Sequence, residues 1–226
     1  MPERVARGGG RVDLVGPSGR LEGLIDEPLE APRAGVVFAH PHPLHGGSMH
    51  TKVVYRVAKT LAAIGCAVLR FNFSGVGQSE GSFAGGEGEM EDFAAALRFM
   101  AARTPARKLW AGGFSFGAWV ALSVGSRDDN VSTLLGVGVP AGQYRYDALI
   151  GSHKPTFLIH GERDEICLLS DVRRLYARLD EPKELVVIDG ADHLFDGRTL
   201  EVGDAVRDLL GDVPGDRLRD SGGARA

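Results

Sequence analysis

The stretch that decides the fold is LWAGGFSFGAWVALSVGS, which spans residues 109–126. Its first six residues form an apolar run that predicts a buried strand, and residues 116–126 suit a buried helix. Between them lies GFSFG (residues 113–117), a G-x-S-x-G sequence at a strand-to-helix turn. The glycines on either side of the serine leave room for a strained backbone that lifts the hydroxyl above the sheet edge. Ser115 is therefore the candidate nucleophile.

The same stretch is uncharged and long enough to suggest a membrane span. Glycine and serine interrupt it repeatedly, so a strand, a turn and a helix fit it better. The first ten residues carry arginines but no apolar segment of the kind that a signal peptide needs. These features favour a cytoplasmic protein that has no membrane partner.

Strand-length apolar runs alternate with helix-length segments on both sides of this stretch, a pattern typical of a mostly parallel sheet with helices on both faces. A GPSG turn signal lies between the first two runs, which predict an antiparallel pair at 11–15 and 20–25. The further predicted strands are 34–39, 66–71, 109–114, 133–139, 156–160 and 184–188. The predicted helices are 50–64, 87–102, 116–126, 169–179 and 200–210. Because such sheets bind ligands outside the carboxyl ends of their strands, catalytic residues are expected directly after the strands.

A serine hydroxyl is a weak nucleophile, so it needs a general base and an acid that orients the base. With a nucleophile on this kind of turn, the expected chain order is serine, acid, histidine. His193 is the only histidine after the last predicted strand and is the candidate base. The acid is expected after the preceding strand, in GERDE (residues 161–165). Asp164 is preferred there, with Glu162 and Glu165 as alternatives, because aspartate usually fills this role.

An acyl-transfer site also needs N–H donors for the oxyanion. The backbone N–H of Phe116, directly after the nucleophile, is one expected donor, and the second is expected in the loop after the strand at 34–39. This loop reads HPHPLHGGSMH, residues 40–50. Its prolines lack an N–H, which leaves His42 as the favoured donor and Leu44 as the alternative.

The same loop holds four of the seven histidines, and H-x-H is a spacing that metal ligands use. However, the loop contains no carboxylate or cysteine, and a complete hydrolytic triad lies elsewhere in the sequence. The two cysteines, Cys66 and Cys167, form neither a C-x-x-C pair nor a disulfide framework. We therefore expect no metal ion and no cofactor.

The composition restricts the partners and the domain organisation. The net charge is −4 and the basic residues form no run, so nucleic acid is not an expected partner. With 43% hydrophobic and 25% charged residues, the chain has the composition of a globular protein. Its length suits a single α/β domain, predicted at 1–211, and the polar, glycine-rich residues 212–226 predict a disordered tail. The composition specifies no oligomeric state.

Taken together, the motifs resemble the α/β-hydrolase superfamily from about Val12 to Leu210, and within it the small bacterial branch that is similar to dienelactone hydrolase. The matching strings are HPHPLHGGSM, KVV, LRFNFSGVGQSEGSF, AGGFSFGAWVA, LIHGERDEI and GADHLF. The resemblance implies an α/β-hydrolase fold with Ser115 as nucleophile, Asp164 as acid and His193 as base. This chain has a serine where dienelactone hydrolase has a cysteine, which argues against lactone-specific chemistry.

Many members of the superfamily carry a cap domain after the strand that here ends near Val139. Only residues 140–155 precede the next predicted strand, too few for a cap, so the site is expected to be open, shallow and suited to short acyl chains. The side chains expected to bind the substrate are Leu44, Phe114, Trp119 and Leu194. The resemblance thus implies a serine carboxylesterase that hydrolyses small esters through an acyl-enzyme. A thioesterase or amidase would use the same triad, and a non-catalytic binding protein is the remaining alternative.

Overall fold

An eight-stranded sheet forms the centre of the computed structural model, which describes residues 7–105 and 107–214. The strands are β1 (Arg7–Gly16), β2 (Gly19–Glu27), β3 (Gly35–Ala39), β4 (Ala67–Phe71), β5 (Leu109–Phe114), β6 (Val131–Val137), β7 (Thr156–Gly161) and β8 (Lys183–Ile188). The helices are α1 (Lys52–Ala63), α2 (Glu87–Arg103), α3 (Phe116–Gly125), α4 (Asp147–Ile150), α5 (Leu169–Tyr176) and α6 (Thr199–Leu210). Most of the predicted tail, residues 215–226, lies outside the described part of the chain.

The strand order across the sheet is β1-β2-β4-β3-β5-β6-β7-β8. β1 and β2 form the antiparallel pair that the turn signal predicts, and β2 also pairs antiparallel with β4. All other neighbouring strands pair in parallel. The sheet is therefore mostly parallel, as predicted, and the carboxyl ends of β3 to β8 lie along one edge.

Two hydrophobic cores lie on opposite faces of the sheet. Helices α1 and α6 cover one face, while α2, α3 and α5 cover the other. Since successive residues of a strand point to opposite faces, Val37 and Ala39 of β3 pack in the core of α2 and α3, whereas Val36 and Phe38 pack in the core of α1. Burial on both faces explains why the central strands appear in the sequence as continuous apolar runs.

The segment between β6 and β7 contains only the four-residue helix α4 and no cap domain. Helix α4 is missing from the sequence prediction because four residues are too few to show helical periodicity. Helix α5 ends three residues before its predicted end at Leu179. There the N–H groups of Arg178 and Leu179 bond to carbonyls three residues earlier, which tightens the chain into a turn.

The uncharged stretch at 109–126 forms β5, a turn and α3. Strand β5 is buried along its whole length, and most residues of α3 are buried too, which explains the absence of charge in this part of the sequence. Within the described ranges, no helix combines the length and the hydrophobicity that a membrane crossing requires.

Candidate active site

Ser115 lies at the turn between β5 and α3, with φ 55° and ψ −123°. A left-handed φ is unfavourable for any residue except glycine and persists where the surroundings enforce it. A Cβ on Gly113 would lie 2.3 Å from the backbone of Gly117, and one on Gly117 would lie 2.3 Å from the carbonyl oxygen of His40. Close backbone approach therefore requires both glycines, and the turn presents Ser115 Oγ beyond the end of β5.

The predicted nucleophile, base and acid form one hydrogen-bonded line. The distance from Ser115 Oγ to His193 Nε2 is 2.9 Å, and the distance from His193 Nδ1 to Asp164 Oδ2 is 2.7 Å. When Nδ1–H donates to the carboxylate, Nε2 is free to accept the serine proton. The three residues follow β5, β7 and β8, so the shared edge of the sheet brings them together.

Asp164 is buried, and its two oxygens have different partners. Oδ1 accepts the N–H of Ile166 at 3.0 Å and that of Cys167 at 2.7 Å, while Oδ2 faces His193. Burial alone would raise the pKa of Asp164, but the hydrogen bonds from His193 and Cys167 outweigh it and hold the pKa below its usual value. The carboxylate is therefore charged at neutral pH.

The two alternative acids are directed elsewhere. Glu162 is exposed and accepts the N–H of Gly190 at 2.8 Å. Glu165 is exposed as well. In the part of the chain that the structure describes, Asp164 is the carboxylate that bonds to the imidazole of His193, so the geometry favours it over both glutamates.

Phe114 occupies a different place from the one expected of a substrate-binding residue. Its side chain has no exposed surface and belongs to the core beneath α1 and α6. Its ring stacks on the imidazole of His193, with centroids 5.3 Å apart and an interplanar angle of 29°. As the last residue of β5, Phe114 points away from the face that carries Phe116. Its ring therefore packs against the imidazole of His193 inside the core and does not line an open pocket.

The backbone N–H groups of the two favoured oxyanion donors, Phe116 and His42, have no other acceptor among the described residues. Phe116 is the first residue of α3, where N–H groups lack a partner in the helix and the helix dipole adds positive charge. Within residues 7–105 and 107–214, neither its N–H nor that of His42 donates to another group. The N–H of Leu44, by contrast, donates to Nδ1 of His42 at 3.2 Å. The geometry therefore favours His42 over Leu44.

His40 is a structural element of this loop that the sequence reasoning missed. Its ring is buried; Nδ1 lies 2.6 Å from the carbonyl oxygen of Pro41, and Nε2 accepts the N–H of Phe73 at 3.1 Å. Burial lowers the pKa of His40 to about 4, so the ring is neutral and carries its proton on Nδ1. The neutral imidazole ties the start of the loop to the residues after β4, and so holds the backbone next to His42.

The remaining predicted substrate-binding residues are Leu44, Leu194 and Trp119. Leu44 and Leu194 are 68% and 60% exposed, which leaves both side chains free to contact a substrate. Trp119 is half-buried and stacks on Tyr144, with ring centroids 4.0 Å apart. The ring of Phe116 lies between Trp119 and His42, at 5.5 Å and 4.9 Å.

Two further aromatic residues lie on this surface, and neither is among the residues expected to bind the substrate. Phe83 packs 5.0 Å from the ring of His42, and Tyr144 lies 6.3 Å from that of Phe116. Both come from loops distant in sequence from the nucleophile. Phe83 ends the matching string LRFNFSGVGQSEGSF, whereas no motif signals the position of Tyr144 and only the fold identifies it.

One group of potential metal ligands occurs among the described residues, and it shares two residues with the triad. Ligand atoms of Asp164, Cys167 and His193 lie within 4.8 Å of one another. Two of the three are already hydrogen-bonded to each other, and burial raises the pKa of Cys167 to about 12, so its thiol is protonated. The donor set therefore suits proton transfer better than metal binding.

Comparisons with known proteins agree with this architecture. A family model described as an alpha/beta hydrolase domain matches residues 32–210. An uncharacterized protein of Rickettsia prowazekii is 38% identical over 205 residues, which cover 86% of this chain and 86% of that protein. An α/β serine hydrolase without a lid from Xanthomonas campestris superposes with a TM-score of 0.84 at 31% identity, covering 90% of this chain and 94% of that one. An α/β serine hydrolase homologue from Coxiella burnetii gives a TM-score of 0.81 at 35% identity, covering 88% and 97%.

Proposed function

Because the chain belongs to the α/β-hydrolase family, we propose that it is a serine carboxylesterase that hydrolyses small, short-acyl esters through an acyl-enzyme. The observation that carries the proposal is the continuous line from Ser115 Oγ through His193 to Asp164, with distances of 2.9 Å and 2.7 Å. A nucleophile, a base and an orienting acid in this geometry are the constellation that acyl transfer requires.

In the first half of the reaction, Ser115 Oγ attacks the carbonyl carbon of the ester while His193 Nε2 takes the hydroxyl proton. The electron pair of the carbonyl bond moves to oxygen, and the N–H groups of Phe116 and His42 stabilise this oxyanion. The charged Asp164 stabilises the imidazolium and keeps Nδ1 protonated. Collapse of the intermediate breaks the ester C–O bond, and the imidazolium protonates the departing alcohol.

In the second half, His193 accepts a proton from water, which attacks the carbonyl of the acyl-serine. The same two N–H groups stabilise the second oxyanion. When it collapses, the bond to Ser115 Oγ breaks, and Oγ regains a proton from the imidazolium. The products are a carboxylic acid and an alcohol, and the enzyme returns to its starting state with no cofactor consumed.

The surroundings of the triad support small, apolar substrates. Four exposed apolar side chains lie on the loops that carry the acid, the base and the proposed oxyanion donor: Leu44, Ile166, Leu168 and Leu194. The segment between β6 and β7 has no cap that would enclose a long acyl chain. A small, short-acyl ester can cover part of this apolar surface while its carbonyl lies between Ser115 and the N–H donors.

We further propose that the protein acts in the cytoplasm. Cys66 and Cys167 are both free and buried, and reduced thiols are the rule in that compartment.

The proposal is tested by labelling the protein with a fluorophosphonate and by comparing p-nitrophenyl butyrate with the matching thioester and anilide. We expect stoichiometric labelling of Ser115 and fastest turnover of the ester. Ser115→Ala should abolish both, whereas Ser132→Ala, a serine on β6, should leave both unchanged. Faster turnover of the thioester or anilide would reassign the substrate class. Undiminished hydrolysis by Ser115→Ala would refute the serine mechanism.

A further inference from the structure

A second histidine lies beside the catalytic acid. His160 is the fifth residue of β7, and its side chain has no exposed surface. Its Nε2 is 2.6 Å from the carbonyl oxygen of Cys167 and 3.4 Å from Oδ2 of Asp164. Sequence reasoning assigned no role to it, and the proposed mechanism does not use it.

The contacts define the protonation of this ring. A carbonyl oxygen only accepts hydrogen bonds, so Nε2 carries a proton and donates it to Cys167. Burial lowers the pKa of His160, which keeps the ring neutral and leaves Nδ1 without a proton. Nδ1 is buried and has no hydrogen-bond partner among the described residues. An unpaired buried nitrogen is unfavourable, so packing alone does not account for a histidine at this position.

The hydrogen bond of His160 acts on the loop that holds the acid. Cys167 accepts from His160 through its carbonyl oxygen and donates its own N–H to Oδ1 of Asp164 at 2.7 Å. One residue thus connects the buried imidazole to one oxygen of the carboxylate. The other oxygen, Oδ2, has His193 Nδ1 at 2.7 Å and His160 Nε2 at 3.4 Å.

We propose that His160 is a positioning residue that fixes the orientation of the Asp164 carboxylate, by holding Cys167 in the place from which its N–H bonds to Oδ1. The inference rests on the proposed serine hydrolase function. With Oδ1 held by the N–H of Cys167, the carboxylate cannot rotate, and Oδ2 stays aligned with His193 Nδ1. Without this restraint, His193 would lose its fixed tautomer and orientation, which slows proton transfer more than substrate binding.

Two amide variants separate positioning from packing. His160→Gln places its amide nitrogen near the position of Nε2, within reach of the Cys167 carbonyl, whereas the shorter His160→Asn does not reach it. We expect kcat for p-nitrophenyl butyrate to fall about 10- to 100-fold in His160→Asn with little change in KM, and to stay within about threefold of wild type in His160→Gln. His153→Asn, at an exposed histidine in the segment between α4 and β7, is the matched control and should leave both constants unchanged.

A proton NMR signal provides a readout that does not depend on turnover. The strong hydrogen bond between His193 Nδ1–H and Asp164 gives a downfield resonance in the resting protein. It should shift or broaden in His160→Asn and return in His160→Gln. Should His160→Asn fail to fold, as judged by circular dichroism, His160→Leu takes its place.

Three outcomes would overturn the proposal: wild-type kcat in His160→Asn, equal loss of kcat in both amide variants, or an unchanged resonance in His160→Asn. Failure of the proposed function is distinguishable, because then wild type itself would hydrolyse no ester while the resonance would still respond to His160.

Discussion

The two sides of Ser115 are built in different ways. On the acid–base side, Asp164 and His193 are themselves buried, and the charged carboxylate of Asp164 bonds to the imidazole of His193 and to the backbone N–H of Cys167. On the oxyanion side, the loop of residues 40–45 offers backbone N–H groups and is held by the neutral ring of His40. In the proposed mechanism, the first side moves protons, and the second stabilises charge on a substrate oxygen. The acid–base side therefore depends on residue type, whereas the oxyanion side depends on backbone position.

The strongest test of this difference removes the charge from the acid–base side. Asp164→Asn should lower kcat about 10³- to 10⁴-fold at neutral pH, because the amide can no longer stabilise the imidazolium and favours the wrong tautomer of His193. Steady-state hydrolysis of p-nitrophenyl butyrate measures the effect. Glu162→Gln, which changes an exposed neighbour in the same loop, should remain within about twofold of wild type. A comparable loss in both variants would contradict the assignment of the acid.

The next test removes a backbone donor from the oxyanion side. His42 has φ −53°, which proline can adopt, so His42→Pro deletes the N–H with little change in the chain path. His42→Ala loses the same imidazole but keeps the N–H. We expect kcat of the proline variant to be about 10²- to 10³-fold below that of the alanine variant. Equal values of kcat in the two variants would show that the N–H of His42 does not bind the oxyanion.

The oxyanion side should lower the free energy of unfolding in acid, because His40 is held neutral there. The pKa of His40 is about 4 in the native protein, against 6.5 for an unperturbed histidine. As the pH falls through 6.5, the unfolded chain binds a proton that the native state does not, so stability is lost between pH 6.5 and about 4. The expected loss is about 3 kcal/mol, since each unit of pKa is worth about 1.4 kcal/mol.

His40→Gln keeps an acceptor for the N–H of Phe73 and does not titrate in this range. Urea unfolding at pH 7, 5.5 and 4.5 should therefore show a shallower loss of stability in this variant than in wild type. His50→Gln, at an exposed histidine, should follow the wild-type curve. Identical curves for His40→Gln and wild type would rule out a buried neutral ring at this position.

The smallest expected effect concerns Leu194, one of the exposed apolar side chains on the loops of the site. Leu194 is 60% exposed beside the base, and Leu194→Gln should reduce the preference for butyrate over acetate esters about two- to threefold in kcat/KM. The reason is that a few methylene contacts at a partly exposed site contribute only a modest free energy. Leu29→Gln, at a leucine in the segment that follows β2, serves as the control. An unchanged preference in Leu194→Gln would remove this residue from the substrate site.

The contrast between the two sides also explains what the sequence could predict. Ser115, Asp164 and His193 are identifiable because acyl transfer requires those residue types, in a chain order that follows the strands. The second oxyanion donor remained open between His42 and Leu44, since any residue except proline has an N–H. Only the hydrogen bond from Leu44 to the ring of His42 favours one of them.

Other features depend on contacts between segments that are distant in sequence. The role of His40 requires its partner Phe73, and that of His160 requires the fold of the loop around Cys167. Phe114 is expected from the sequence to bind the substrate. However, alternation along β5 directs its ring into the opposite core, beneath His193. The alternation of side chains along the strand therefore decides the position of this residue.

The central claim is that Ser115 carries the acyl group between the two halves of the reaction. The most direct measurement is rapid acid quenching of the protein with p-nitrophenyl butyrate, followed by peptide mass spectrometry. The account predicts a butyryl group on the peptide that contains Ser115, with none in Ser115→Ala. Butyrylation of another residue during turnover, or turnover with no acyl-enzyme under any quench condition, would contradict it.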